Sequence, residues 1–183
     1  MDILQKVYKI LFEPSKFFSG LKKEKSAGEA FKYFLILAIF GAVMGGISLY
    51  FFSGLQMDML SKVYNADLSP DSYSPTLVAN HVALNYILGI IGIFILAGLL
   101  HISILIFGGK ENYTKTFQMT VYAWTPIWIF GWIPLAGLIA AIYTLFLLII
   151  GTQKVHKIAQ NKVLILYALL ALLYILLLAK AVM

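Results

Sequence analysis

Three histidines, His81, His101 and His156, and three tryptophans, Trp124, Trp128 and Trp132, are the side chains of this sequence whose types invite a chemical role. Tyrosines aside, His101 is the one titratable group within an apolar stretch. It lies about two turns, roughly 10 Å, from the end of that stretch. An imidazole there serves as a proton relay or ligand group, or as a neutral residue whose hydrogen bond holds neighbouring helices in register. A relay inside a membrane works with a carboxylate, and no Asp or Glu falls within an apolar span, so the interhelix hydrogen bond is expected. The histidines stand twenty or more residues apart. None shares the i, i+3 or i, i+4 spacing of a helical metal site, so no metal centre is expected. The chain has no cysteine, and no serine or aspartate has the paired base or acid that hydrolysis within a membrane requires. Neither catalytic residues nor a cofactor are expected, and the chain reads as non-enzymatic.

The tryptophans recur at i, i+4 and i+8 and make one stripe on a helix. Trp132 suits an aromatic belt at the membrane surface. Trp124 and Trp128 lie deeper, as candidates to line a pathway or to touch lipid, although packing against other helices is the expectation. Between them Pro126 removes a backbone donor and predicts a kink.

The elements that must position these groups are membrane spans. From Thr116 to Gln153 the chain runs 38 residues without a charge, closed by Lys115 and Lys154. As one helix that stretch would be ~57 Å long, against a hydrocarbon core of ~30 Å. It must therefore double back, and Gly131-Trp-Ile-Pro134 is the place to turn. Hydrophobic residues make up 61% of the chain and charged residues 12%, too little polar surface to cover a water-soluble globule. The predicted fold is all-α, a polytopic membrane helical bundle with five transmembrane helices plus an N-terminal amphipathic interfacial helix. The spans are about 31–55, 82–107, 117–132, 134–150 and 163–179. Residues 1–30 form a cytoplasmic segment and 31–183 the membrane domain. The first thirty residues carry six lysines and a long apolar stretch follows, unlike a cleavable signal peptide.

Lysine placement orients the bundle. There is no arginine; twelve lysines lie in the N-terminal region through Lys32 and in the connections after the second and fourth spans. Only Lys62 and Lys180 lie on the other side. The positive-inside rule then puts the N-terminus in the cytoplasm and the C-terminus outside a cell membrane. Lysines scattered between spans are not a nucleic-acid-binding face. Residues 1–13 predict a helix with Ile3, Leu4, Val7, Ile10 and Leu11 on one face and Gln5, Lys6, Lys9 and Glu13 on the other. Such a helix lies in the cytoplasmic interface with its lysines toward anionic headgroups, or packs on the protein's own loops. Beyond the first span, Met57, Leu60, Val63 and Tyr64 keep helical spacing before a turn-rich stretch, Ser69–Pro75. Gly41-x-x-x-Gly45 with Gly46, and Gly137-x-x-x-Ala141, allow close helix approach, within the bundle or in self-association.

Between residues 101 and 162 the order of motifs is distinctive: His101-x6-Gly108-Gly109-Lys110, Thr116, Tyr122-x-x-x-Pro126, Pro134, Gly137, Tyr143 and Gly151-x4-His156. With the early Pro14-Ser-Lys-Phe-Phe18, this order resembles the Yip domain (Ypt/Rab-interacting protein) family. The resemblance implies a five-span membrane domain with a cytoplasmic N-terminus. Eukaryotic relatives are associated with Rab-type GTPases and vesicle traffic. This chain departs from them in having only about thirty residues before its first span, which argues against GTPase binding and fits a prokaryotic member. The resemblance makes His101, Gly108, Gly109, Tyr122, Pro126, Pro134, Gly151 and His156 structural: turns, kinks and interhelix hydrogen bonds. The leading functional expectation is a scaffold that organises the membrane or membrane-protein traffic, bound to anionic lipid and to another membrane protein or a second copy. The rival is a small channel or transporter with its pathway near His101 and the 117–150 hairpin.

Overall fold

Charge is confined to the ends of the apolar stretches, and the helices follow that division. The computed structural model describes residues 2–24, 26–64 and 75–182, and their side chains except at 52–64, 77, 181 and 182. Among the described residues there are helices and turns and no strand. Helix α1 (Ile3–Phe12) starts on the Asp2 side chain, which accepts from the Ile3 N–H at 2.7 Å. Pro14 opens α2 (Pro14–Gly20), and a 3-10 turn, Leu21–Lys23, follows. The long helices α3 (Ala27–Tyr64) and α4 (Pro75–Ile106) come next, then α5 (Tyr113–Ala123), α6 (Thr125–Phe130), α7 (Ala136–His156) and α8 (Gln160–Val182). Helix α3 carries Met57, Leu60, Val63 and Tyr64 to its end. The turn-rich Ser69–Pro75 stretch lies outside the described residues up to position 74.

Among the described residues, four helical segments are long and apolar enough to cross a membrane: Ala27–Phe51, Val78–Ile106, Ala136–His156 and Gln160–Lys180. Their outward faces are apolar in the manner of lipid-facing surfaces, with Ile91 and Leu99 on α4, Leu138 and Ile142 on α7, and Leu172 and Leu176 on α8 all exposed. Helix α8 packs through its first half, where Val163, Leu166 and Tyr167 are buried; from Ala171 to Lys180 every side chain is exposed.

The expected third arm, 117–132, is not one helix. It divides into α5 and α6 at Trp124, two residues before Pro126. Proline offers no N–H to the Tyr122 carbonyl, and its ring crowds that oxygen. The Thr125 hydroxyl takes the vacant place, donating to the Tyr122 carbonyl at 2.7 Å. Neither piece alone is among the helices long enough to cross; end to end, 113–130 would reach ~27 Å. The arm is also the centre of the bundle, because every side chain from Thr116 to Ala123 is buried. The chain turns back over Gly131–Leu135 as the sequence predicts, and Pro134 sits in this turn. Leu135 takes a left-handed φ of 66° as the Ala136 N–H closes on the Pro134 carbonyl at 2.8 Å.

Glycines set the helix spacing. A Cβ on Gly41 would stand 3.0 Å from the Trp128 carbonyl oxygen, so α3 and α6 meet there backbone to backbone. Gly46 makes room for Val82, and Gly137 approaches the Gly131 carbonyl across the turn. All three contacts are internal to the bundle. Gly45 has open space in front of it.

Helix α1 covers Ile3–Phe12, and its facing differs from the predicted one. Ile10 is fully buried, whereas Leu4 is 76% exposed and makes an outer ridge with Tyr8 and Phe12. Lys6, expected on the polar outer face, is 8% exposed and points inward. The reason is a set of partners distant in sequence.

Candidate functional site at the lysine-rich end

Helix α4 ends at Ile106, and Phe107–Gly109 turns the chain away. Gly108 has φ +95°, a conformation that suits glycine, and Gly109 donates to the Ile104 carbonyl at 2.9 Å. A Cβ on Gly109 would stand 3.1 Å from His156 Nδ1, so only glycine lets this turn close over the imidazole. Asn112 then caps α5, its side chain accepting from the Lys115 N–H at 3.2 Å. That cap brings Thr116 between the two histidines. His101 Nδ1 lies 2.8 Å from Thr116 Oγ1, and His156 Nε2 lies 3.0 Å from the same oxygen. A hydroxyl has one proton, so it donates to one ring and accepts from the other, giving a directional His–Thr–His bridge across α4, α5 and α7. His156 is 2% exposed, and its Nδ1 has no hydrogen-bond partner among the described residues. Among those residues no group of three His, Cys, Asp or Glu comes together.

One turn further along, the N-terminal segment is tied to α5. The Tyr122 hydroxyl donates to Glu24 Oε1 at 2.9 Å and accepts from Lys6 Nζ at 3.2 Å. Lys6 also reaches Glu29 Oε2 at 3.1 Å. Gln118 Nε2 donates to the Ser26 carbonyl at 2.9 Å and the Glu24 carbonyl at 3.2 Å, and Lys115 Nζ donates to the Leu21 carbonyl at 2.8 Å. These side chains cap the carbonyls freed where the short turn ends and α3 has yet to begin. Burying Lys6 is acceptable because it has a carboxylate and a hydroxyl for partners and the Tyr122 ring face 5.4 Å away. Nearby, desolvation and the neighbouring Lys157 ammonium hold Lys22 below its ordinary range, with Glu111 opposing the shift.

Of the residues singled out in the sequence, His101, Gly108, Gly109, Tyr122, Gly151 and His156 meet at this end. Gly151 seats Met119 and Phe18; a Cβ there would stand 2.6 Å from Met119 Cγ. Pro126 lies at the α5–α6 break and Pro134 at the opposite tip. Trp124 and Trp128 pack against the core with ring centroids 6.2 Å apart, and neither indole nitrogen has a partner among the described residues. Sequence reasoning missed Lys6, Glu24, Lys115 and Gln118. For Gln118 a signal existed, an amide in an uncharged run; the others look like ordinary interfacial charges until the chain is folded.

A series of aromatic contacts runs from the far end to this site, partly along the outside of the bundle, where Phe94 and Tyr113 are exposed. Trp128 meets Phe34 at 5.5 Å, Phe34 meets Phe31 at 6.1 Å, and Phe31 meets Phe94 at 5.7 Å. Phe94 stacks on Phe117 at 4.9 Å, Phe117 meets Tyr113 at 6.3 Å, and Tyr113 meets His101 edge-on at 5.8 Å. The arrangement can hold helices together and tie the N-terminal segment to α5. Compared with known proteins, no curated protein and no solved structure matches the chain. The model of the Yip1 domain family matches residues 8–181.

Proposed function

The chain belongs to the Yip1 domain family and is a multi-pass membrane protein, and from that premise we propose that it is a non-enzymatic scaffold organising membrane or membrane-protein traffic. The observation that carries this reading is the use made of its polar groups. His101, His156, Tyr122 and Lys6 bond to other segments of the same chain, which ties the N-terminal segment, α4, α5 and α7 into one platform. The five-span topology belongs to this proposal, with α5 and α6 together as the third crossing, the N-terminus cytoplasmic and the C-terminus outside the cell membrane. The exposed ridge of Leu4, Tyr8 and Phe12 then enters the cytoplasmic leaflet, and Lys9 and Lys16 face anionic headgroups. Its partner is another membrane protein or a second copy.

Reconstitution tests the reading. Liposomes carrying the purified chain should leak ions and small solutes no faster than empty ones, with or without His101→Leu. Flux above background that His101→Leu alters would replace the scaffold with the transport alternative. In quantitative pull-downs from membranes, deleting residues 1–13 should reduce capture of partner proteins; unchanged capture would count against the role given to α1.

A further inference from the structure

Helices α1 and α2, with the turn that follows them, enclose a cleft of about 230 Å³ lined by Lys6, Lys9, Glu13, Lys16, Gly20 and Glu24. Phe17 adds an apolar wall. Most of the charges there are already committed. Lys6 lies between Glu29 and Tyr122, and Glu24 accepts from Tyr122 and from Gln118 at 3.3 Å. Glu13 stands 3.2 Å from Lys16, an exposed pair of the kind that contributes little. Lys9 is exposed, and its ammonium has no partner among the described residues. Residues 1–32 hold seven lysines against Asp2, Glu13, Glu24 and Glu29, an excess of three positive charges, so the segment around the cleft favours an anion. The depth of the cleft points the same way. The Tyr143 hydroxyl donates to the Leu11 carbonyl, and Tyr143 stands eleven residues, ~16 Å along α7, from Lys154. Phe18 faces Gly151, only three residues from Lys154. The α1–α2 corner therefore reaches inward beside a helix long and apolar enough to cross the membrane, and it takes Lys9, Glu13 and Lys16 with it. Ionised groups at such a level need a counter-charge.

We propose that this cleft binds the phosphate of an anionic phospholipid from the cytoplasmic leaflet. The ammonium groups of Lys9 and Lys16 hold the phosphate oxygens, and Phe17 lies against the glycerol. Lys16 is free to turn from Glu13, because its side chain is 82% exposed. Lys6 keeps its bonds to Glu29 and Tyr122 and adds its charge from the wall. Gly20 leaves the mouth open, since a Cβ there would meet nothing within 4 Å. The cleft has room for a headgroup and not for acyl chains, which stay in the bilayer beside α1. This deepens the headgroup contact given to Lys9 and Lys16 above, and it rests on α1 entering the cytoplasmic leaflet.

The full chain, purified in a non-ionic detergent, is titrated with phosphatidylglycerol, and bound lipid is counted by native mass spectrometry. One lipid per chain should bind ahead of any others, whereas diacylglycerol, which has the tails without the phosphate, should not bind. Lys9→Gln should raise the half-saturating concentration at least fivefold. Gly20→Val should do the same by filling the mouth, with charge and melting temperature unchanged. Lys110→Gln, which removes an exposed lysine outside the cleft, should leave binding as it was. Equal losses in Lys9→Gln and Lys110→Gln would mean attraction to net charge alone and overturn the proposal. Parent-like binding in both Lys9→Gln and Gly20→Val would overturn it too. Glycerol 3-phosphate that displaces the lipid at equal concentration would overturn the lipid source and leave a soluble phosphate ligand. A separate reading tests the placement of α1: a bimane on Phe12→Cys in liposomes should be quenched by lipids brominated on the acyl chain. Quenching without cleft binding overturns this proposal alone; no quenching overturns the leaflet placement of α1 and the lipid source with it.

Discussion

Thr116 is the smallest group on which a large part of the bundle depends, because one hydroxyl bonds two imidazoles from different helices. Thr116→Val keeps the shape and removes both bonds, leaving ring nitrogens of His101 and His156 unsatisfied. The expected loss is about 1–3 kcal/mol, read as a lower melting temperature in detergent. Thr116→Ser, which retains the hydroxyl, should recover most of it; equal losses in the two variants would mean that packing, not the bridge, matters. Tyr122 plays the matching part for the N-terminal segment. Tyr122→Phe keeps the ring but removes the acceptor for Lys6 and the donor to Glu24. About 1–3 kcal/mol of stability should be lost, and amide exchange over residues 3–24 should accelerate more than over α7. Uniform acceleration would show that Tyr122 does not specifically hold the segment. Lys6 shows why this scale was hard to read from sequence: it took the face a lysine normally avoids, because its partners Glu29 and Tyr122 are 23 and 116 residues away.

At the level of elements, chain breaks were more legible than chain partners. Pro126 and Gly131–Pro134 mark the kink and the turn in sequence because proline and glycine act through local backbone geometry. What escaped was that the kink splits the arm into an 11-residue and a 6-residue helix, since a continuous apolar pattern cannot reveal where a threonine hydroxyl will replace a lost N–H. The C-terminus of α7 offers a test. It is capped by Lys157 in the left-handed region, φ 56° and ψ 36°, where a side chain is strained and glycine is not. Lys157→Gly should stabilise the chain by ~0.5–1 kcal/mol through the backbone, and it also removes a positive charge beside Lys22. A drop in melting temperature would mean that the lysine side chain makes contacts worth more than the strain. Gly109→Ala, in contrast, places a methyl against Ile104 and His156 and should cost about 1–3 kcal/mol.

For the whole molecule the open quantity is how the bundle sits across the bilayer. The absence of cysteine makes single-cysteine labelling clean. In intact cells a membrane-impermeant maleimide should label Lys180→Cys and leave Lys9→Cys and Lys110→Cys unlabelled until the membrane is opened. Ile133→Cys, at the hairpin tip, should label from outside if α5 and α6 complete the third crossing. Protection of that position with Lys180→Cys accessible would make the hairpin re-entrant.

Composition and charge spacing determined by themselves that this chain lives in a membrane, is helical and must double back between Lys115 and Lys154. Each of these follows from the cost of leaving apolar surface in water or charge in hydrocarbon, and that cost is set by residue type alone. Tertiary structure decided which polar groups found each other: His101 with His156 through Thr116, Lys6 with Tyr122, Lys115 and Gln118 with the carbonyls before α3. A hydrogen bond depends on position to a fraction of an ångström, and residues 15 to 116 apart reach that precision only once the helices between them have packed.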